Sequence, residues 1–270
     1  MTASQMLYIG GSYGAPPPTS VEYLIVAGGG LGGSDWLGYP YPGYPPGGGT
    51  YGGGGGGGAG GYRTSSSSPV SINTTYPVTV GGAASNSSFN SVTSAAGGAG
   101  GDIWNRSTLD GAPGGSGGGG QAGYLNDNPS PFQYGAGGTG NTPSASPSQG
   151  NNGGTADAFS SAGGGGSNAS NSISGSPVTY ATGGGVAAQG NNGANAPANT
   201  GNGGQAGNAN WQTPEPAPVQ RPGGTGGSGI VIIAYPESFA AAKSTTGSPT
   251  ITTSGGKRIY KFTGSGSITW

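Results

Sequence analysis

Gly52-Gly53-Gly54-Gly55-Gly56-Gly57-Gly58, continuing into Ala59-Gly60-Gly61, is the stretch on which any fold for this chain turns. Ten residues supply one methyl group between them, so this stretch cannot build a side-chain core. Further blocks stand at Gly28–Gly30, Gly117–Gly120, Gly163–Gly166 and Gly183–Gly185. They are either flexible spacers of the Gly/Ser kind or segments ordered by main-chain contacts alone. Glycine and proline together make about a third of the 270 residues, a level that ordinarily marks low complexity. Yet charged residues are only 6%, and disordered chains stay solvated largely through charge. Aromatic and β-branched residues also sit at the block edges, which spacers seldom show. Order through the main chain is the stronger reading.

A glycine chain can adopt the polyproline-II type of helix, with three residues per turn and about 3.1 Å rise. Lacking Cβ atoms, such helices can lie backbone against backbone and exchange N–H···O and Cα–H···O contacts on all sides. Gly52–Gly58 would then be a rod of roughly 20 Å, with an interior position because every side is bare. The run Gly201-Asn202-Gly203-Gly204-Gln205-Ala206-Gly207 has Gly every third residue, enough for one bare face, and is expected at the periphery. Ordering glycine is entropically costly, so something must anchor the rods.

Two apolar runs are suited to that task. Val21-Glu22-Tyr23-Leu24-Ile25-Val26-Ala27 meets the first glycine block, and Ile230-Val231-Ile232-Ile233-Ala234-Tyr235 follows the glycines of 223–229. The second run is apolar on both faces and should lie between two layers. Pro69–Val80 alternates with period two, and Pro177–Tyr180 is a shorter strand candidate. Pro249–Thr253, Ser254-Gly255-Gly256 and Arg258–Thr263 read as a hairpin, with Ser267–Trp270 as a third strand. Four of seven basic residues (Lys243, Lys257, Arg258, Lys261) fall after residue 242, setting this tail apart. Helix is nearly excluded, with at most one turn at Ser238–Lys243. The expected fold is a mainly irregular, all-β polyglycine-II helix sandwich framed by strands. Its expected parts are an arm at 1–19, the glycine-rich region at 20–236 and a hairpin module at 237–270.

Composition removes several functions. With no Cys and no His, the common zinc and copper ligand sets and the Ser-His and Cys-His nucleophile pairs are gone. No two of the eight carboxylates lie within six residues of each other, which argues against an enzyme and against a metal or cofactor site. A formal net charge of −1 with seven Lys and Arg cannot form a nucleic-acid face. No apolar run approaches the about 20 residues of a membrane span, and Met1–Gly14 does not read as a signal peptide. A soluble protein is expected.

Gly28-x-Gly30-x-x-Gly33 matches the dinucleotide fingerprint, but Ser34–Pro46 contains four prolines and cannot open the required helix. Gly114-x-Ser116-x-Gly118 matches a nucleophile elbow without any His partner. Both are by-products of the glycine content. The aromatic residues between blocks carry more. Trp36, Tyr39, Tyr41 and Tyr44 fall in Ser34–Pro46, Trp104 and Asn105 in Asp102–Asp110, and Tyr124, Asn126, Phe132 and Tyr134 in Tyr124–Tyr134. Trp211 stands in Asn208–Gln212. Such residues cannot enter a bare lattice built on Gly52, Gly55, Gly58, Gly118, Gly164 and Gly184, so they belong to loops at its ends or edges. Aromatic faces beside Asn, Asp and Gln suit sugar rings or outer-surface proteins. Taken singly, each aromatic is better read as a cap on the lattice rim or filler of a subunit interface; the binding role belongs to the collection.

The order V-E-Y-L-I-V-A-G-G-G (Val21–Gly30), G-G-Y-R-T (Gly60–Thr64), Y-P-V-T-V-G-G-A (Tyr76–Ala83) and G-S-G-I-V-I-I-A-Y-P (Gly227–Pro236) resembles the glycine-rich domain of bacteriophage tail and fibre proteins. The tail-piece Ile251–Gly266 is similar to a β-module found beside that domain. The resemblance implies a virion structural protein of the tail or tail fibre. Like tail-fibre-tip adhesins, it would present its loops to a host-surface glycan or outer-membrane protein. Other tail or fibre proteins would be its partners, with a homo-oligomer such as a trimer left open. Unlike those adhesins, this sequence shows no sizeable N-terminal attachment domain, so the arm or the hairpin would have to serve. A purely architectural or decoration protein is the second expectation, and an ice-binding polyglycine protein a minor third.

Overall fold

Val21–Val26 carries apolar side chains on alternating faces, so a strand there needs cover on both sides. In the computed structural model, which describes residues 14–37, 53–102, 108–123, 133–157, 169–209 and 219–270, it has that cover. Ser20–Val26 pairs antiparallel with Ile230–Pro236, Glu22 opposite Ala234 and Val26 opposite Ile230. Their five-stranded antiparallel sheet runs Thr250–Ser254, Lys257–Phe262, Ile230–Pro236, Ser20–Val26, Tyr62–Pro69. A second runs Ser244–Thr246, Gly266–Thr269, Thr75–Thr79, Ser87–Phe89, Val92–Ser94.

One face of the first sheet (Val21, Tyr23, Ile25, Val231, Ile233, Tyr235) packs with Val78, Phe89 and Ile268 of the second sheet and with Trp270. Tyr23 meets Phe89 edge-on at 5.9 Å, and Tyr235 stacks on Tyr260 at 5.8 Å. The two hydroxyls lie 3.1 Å apart in the core. Burial raises the Tyr235 pKa above its ordinary value, and the Tyr260 hydrogen bond adds to the shift. The other face (Leu24, Val26, Ile230, Ile232, Ala234) packs on Ala59, Ile173, Tyr180 and Ala181. Each fully buried aliphatic side chain contributes about 2 kcal/mol. The double-faced reading of Ile230–Tyr235 and its pairing with the first strand are borne out.

Other expectations shift. Pro69–Val80 is not one strand: the chain turns at 72–73, with Asn73 at φ 56, and only Thr75–Thr79 continues. Tyr62–Pro69 and the hairpin Ser87–Phe89/Val92–Ser94 had no sequence signal. Asn90 and Ser91 (φ 47 and 63), like Gly255 and Gly256 (φ 55 and 73), turn their hairpins with two successive left-handed residues. The C-terminal hairpin pairs Lys257–Phe262 onto Ile230–Pro236, so Tyr260 and Phe262 share one core with Tyr23. Among the described residues there is no helix, and Phe239 N–H simply turns back to the Pro236 carbonyl.

Beside the sheets the glycine segments bond laterally, and their donors recur every third residue. Ala27, Gly30 and Gly33 donate to Gly61, Gly58 and Gly55. Gly55, Gly58 and Gly61 donate to Gly101, Gly98 and Ala95, while Gly54, Gly57 and Gly60 donate to Gly207, Gly204 and Gly201. Followed sideways, the bonds order 109–115, 95–101, 27–35 and 221–229 in one row. A second row holds 133–141, 116–123, 53–61, 201–209 and 191–197, each segment bonded to neighbours in the first. Segments 149–157 and 181–188 bond to the second row from its other side.

Every residue of 53–61 is buried, as its bare sequence requires. A Cβ on Gly55 would stand 2.0 Å from the Gly119 carbonyl oxygen, and one on Gly58 2.3 Å from that of Ser116. On Gly118 it would meet Ala99 O at 2.1 Å and on Gly184 it would meet Gly204 O at 2.0 Å. Gly52 and Gly164 lie outside the described residues. The run 201–207 is not peripheral as expected. It bonds to 27–35, 53–61, 181–187, 191–197 and 221–229. Asn202 and Gln205 occupy one position in three; a second position is bare glycine at 201, 204 and 207, and the third carries only the Ala206 methyl. Their side chains then reach into the grooves, Asn202 Oδ1 accepting from Thr182 N–H at 2.9 Å.

Candidate functional site

The hydrogen-bond register fixes which ends of the segments lie together. Gly33, Gly55, Gly101, Gly119 and Gly207 form one level, linked by Gly33 to Gly55, Gly55 to Gly101, Gly101 to Gly119 and Gly207 to Gly33. Ala27, Gly61, Ala95 and Gly201 form another, at the strands. Beyond the first level, away from the sheets, the described chain reaches Leu37, Gly53, Asp102, Gly123 and Ala209. These residues flank the aromatic segments singled out from sequence.

Two short ladders mark this far end. Asp35–Leu37 pairs with Val219–Arg221, placing Trp36 opposite Gln220, and Ala122–Gly123 pairs with Gln133–Tyr134. Asp102 bridges to Thr108. Tyr134 is 47% exposed. Tyr39, Tyr41, Tyr44, Trp104, Asn105, Tyr124, Asn126, Phe132 and Trp211 lie outside the described residues.

Sequence reasoning missed a set of buried polar side chains immediately beneath this end. Ser34 N–H donates to Asp102 Oδ2 at 3.0 Å, and Gln121 Nε2 donates to the Ser34 carbonyl at 3.2 Å. Ala209 N–H donates to Asp35 Oδ2 at 2.8 Å. Asp35 and Asp102 are 4% exposed and Gln121 2%. A buried carboxylate is tolerated where main-chain amides hydrogen-bond it. The available signal was position: each residue directly ends or closely follows a glycine run (Gly33-Ser34-Asp35, Gly101-Asp102, Gly120-Gln121). Among the described residues no group of three or more His, Cys, Asp or Glu is arranged to hold a metal.

Residues 8–236 match the family model of the glycine-rich domain. The chain belongs to that family. The span of this glycine-rich domain closes at Pro236, the last residue of the middle strand. No curated protein and no solved structure matches the chain.

Proposed function

We propose that this glycine-rich domain protein is a non-enzymatic structural component of a bacteriophage tail or tail fibre. In this reading its rows are polyglycine-II helices packed as a sandwich, and its far-end segments attach the particle to a host-surface glycan or outer-membrane protein. The periodicity of three in the lateral donors supports the helix assignment, since a threefold helix returns each amide to the same neighbour every third residue. The observation that carries the functional reading is the shared register, which brings the roots of separate aromatic segments to one end of the lattice, opposite the sheets. Contact area spread over several chain segments, with Tyr and Trp as low-entropy anchors, is how adaptable binding surfaces are built. Other tail or fibre proteins would meet the molecule elsewhere.

The test replaces residues 39–44, 104–106, 124–132 or 211–212 by short Gly/Ser spacers and measures adsorption of the resulting particles to host cells, with thermal unfolding of the purified variants alongside. Adsorption should fall sharply while the unfolding temperature holds. Undiminished adsorption with all four replaced would overturn the attachment role in favour of the architectural one.

A further inference from the structure

The two five-stranded sheets leave four strand edges, and three of them are blunted. Val92–Ser94 and Ser244–Thr246 are three residues long. Tyr62–Pro69 slips register against Ser20–Val26 between Val21 and Tyr23, carries Arg63, and ends on a proline. Other segments also bond it near both ends: Tyr62 N–H donates to the Gln149 carbonyl, and Asn90 Nδ2 donates to the Pro69 carbonyl. Charge, bulges, proline and brevity are the usual devices against unwanted strand pairing. Thr250–Ser254 carries none of them. No charged residue stands between Ser244 and Gly256, and Ile251 holds out a large apolar side chain, 53% exposed.

Register decides what this edge offers. The turn at Gly255-Gly256 puts Ser254 opposite Lys257, Thr252 opposite Ile259 and Thr250 opposite Lys261. A two-residue turn makes its flanking pair exchange both hydrogen bonds, and the pattern alternates from there. Ile251 and Thr253 therefore point their N–H and C=O groups away from Lys257–Phe262, and among the described residues no strand pairs with them. Two donors and two acceptors spaced in this way are their own complement. Set antiparallel across a twofold axis, the strand pairs Ile251 with Thr253 of a second copy, and Thr253 with that copy's Ile251. The two Ile251 side chains then lie diagonal to each other, about 7–8 Å apart.

We propose that Thr250–Ser254 is a self-association edge, at which two copies of this chain join their sheets across a twofold axis. The inference goes beyond the attachment reading and stands whether or not that reading does. Residues 247–249 alone link Ser244–Thr246 to Thr250–Ser254, so the edges of both sheets lie on one side of the molecule. An axis normal to the first sheet brings the two Ser244–Thr246 edges toward each other as well. Charge does not oppose the contact. Lys257 pairs with Glu22, and Lys243 donates to Asn73 Oδ1 at 3.2 Å. Lys261 stands three strand spacings, about 14 Å, from Lys257 of the second copy, beyond the screening length of about 8 Å. Residues 244–254 are fewer than the about 20–30 a side of a standard interface, so the dimer is a weak one that needs concentrated chain.

Sedimentation equilibrium of the purified full chain, from about 1 µM to about 1 mM, covers the range in which so small a contact forms. Mass should climb from 25.5 kDa toward twice that value. Ile251→Lys sets like charges on the pairing strands, and Thr253→Pro removes an outward N–H while sparing the ladder to Lys257–Phe262. Each should raise the half-association concentration by about tenfold or more. Ser67→Lys, at an exposed position on the opposite edge of the same sheet, is the control and should leave it unchanged. Amide hydrogen exchange locates the contact: Ile251 and Thr253 should slow about tenfold between dilute and concentrated samples, with Ala27 and Gly60 unchanged.

A chain that stays monomeric throughout overturns the proposal and leaves the edge to a strand of another protein. A trimer overturns it too, since a twofold edge closes at two copies. So does association that both variants leave intact, because another surface then makes it. Ile251 and Thr253 amides already slow in the dilute sample would show the edge covered within one molecule, and would equally sink the idea. Should Ile251→Lys fail to fold, Thr253→Pro and the exchange comparison carry the same test.

Discussion

Strand Ser20–Val26 and segment 53–61 are both flanked on each side within their layers, and they are buried by opposite means. The strand brings Val21, Tyr23, Leu24, Ile25 and Val26 into two side-chain cores. Apart from the Ala59 methyl, the glycine segment brings main chain alone, held so that a Cβ on Gly54, Gly55, Gly57, Gly58 or Gly60 would stand within 2.3 Å of a main-chain oxygen. In the first, the stabilising quantity is apolar area removed from water. In the second it is hydrogen bonds and close main-chain contact, each weak and present in quantity. The two regions should therefore respond to substitution by different rules: a core forgives a change of shape if volume is kept. A lattice without side chains forgives nothing that adds an atom between its segments.

The largest expected effect lies in the core. Ile232→Ala removes a fully buried side chain between the central strand and the layer below, and should cost about 4 kcal/mol by urea denaturation. Next comes the reverse change in the lattice. Gly55→Ala adds one methyl against the Gly119 carbonyl and the Gly101 nitrogen, both main chain, and should destabilise by about 3 kcal/mol. Its partner is Gly185→Ala, where a Cβ meets nothing within 4 Å; here stability should rise by about 0.5 kcal/mol through the unfolded chain. Equal effects at the two glycines would break the contrast between interior and edge.

Raised pH probes the aromatic core. Burial raises the folded-state pKa of Tyr235, Tyr23 and Tyr180. The folded form therefore holds these protons more tightly than the unfolded form. The stability they contribute is complete below the ordinary tyrosine value of about 10 and is lost as pH climbs through the folded values. Unfolding temperature measured from pH 8 upward should drop above about pH 10, less steeply in Tyr235→Phe. The smallest effect is at the surface. Lys257 and Glu22 pair across the sheet with side chains 46% and 28% exposed, and Lys257→Ala should cost about 0.5 kcal/mol or less.

What the sequence disclosed follows the same division. Ile230–Tyr235 could be read because six apolar residues in a row admit few placements, and 53–61 because a bare segment belongs where neighbours surround it. Tyr62–Pro69 could not, since Arg63-Thr64-Ser65-Ser66-Ser67-Ser68 shows no alternation; it is a strand because Ser20–Val26 offers it an edge. The run 201–207 was misplaced because only the glycine face at 201, 204 and 207 reads as bare, whereas the face carrying the small Ala206 methyl is buried as well. At the far end the aromatics draw notice from composition, whereas Asp35, Asp102 and Gln121 look like ordinary surface polar residues until the register shows what surrounds them.

Segments 27–35, 53–61, 95–101, 114–123 and 201–209 contain no lysine, no arginine and no aromatic residue. Trypsin thus finds no side chain to grip along these segments, and chymotrypsin only Leu31, whatever their momentary opening. Digestion would be confined to the strands and the outlying segments, and the bulk of the molecule would outlast many proteins with far larger hydrophobic cores.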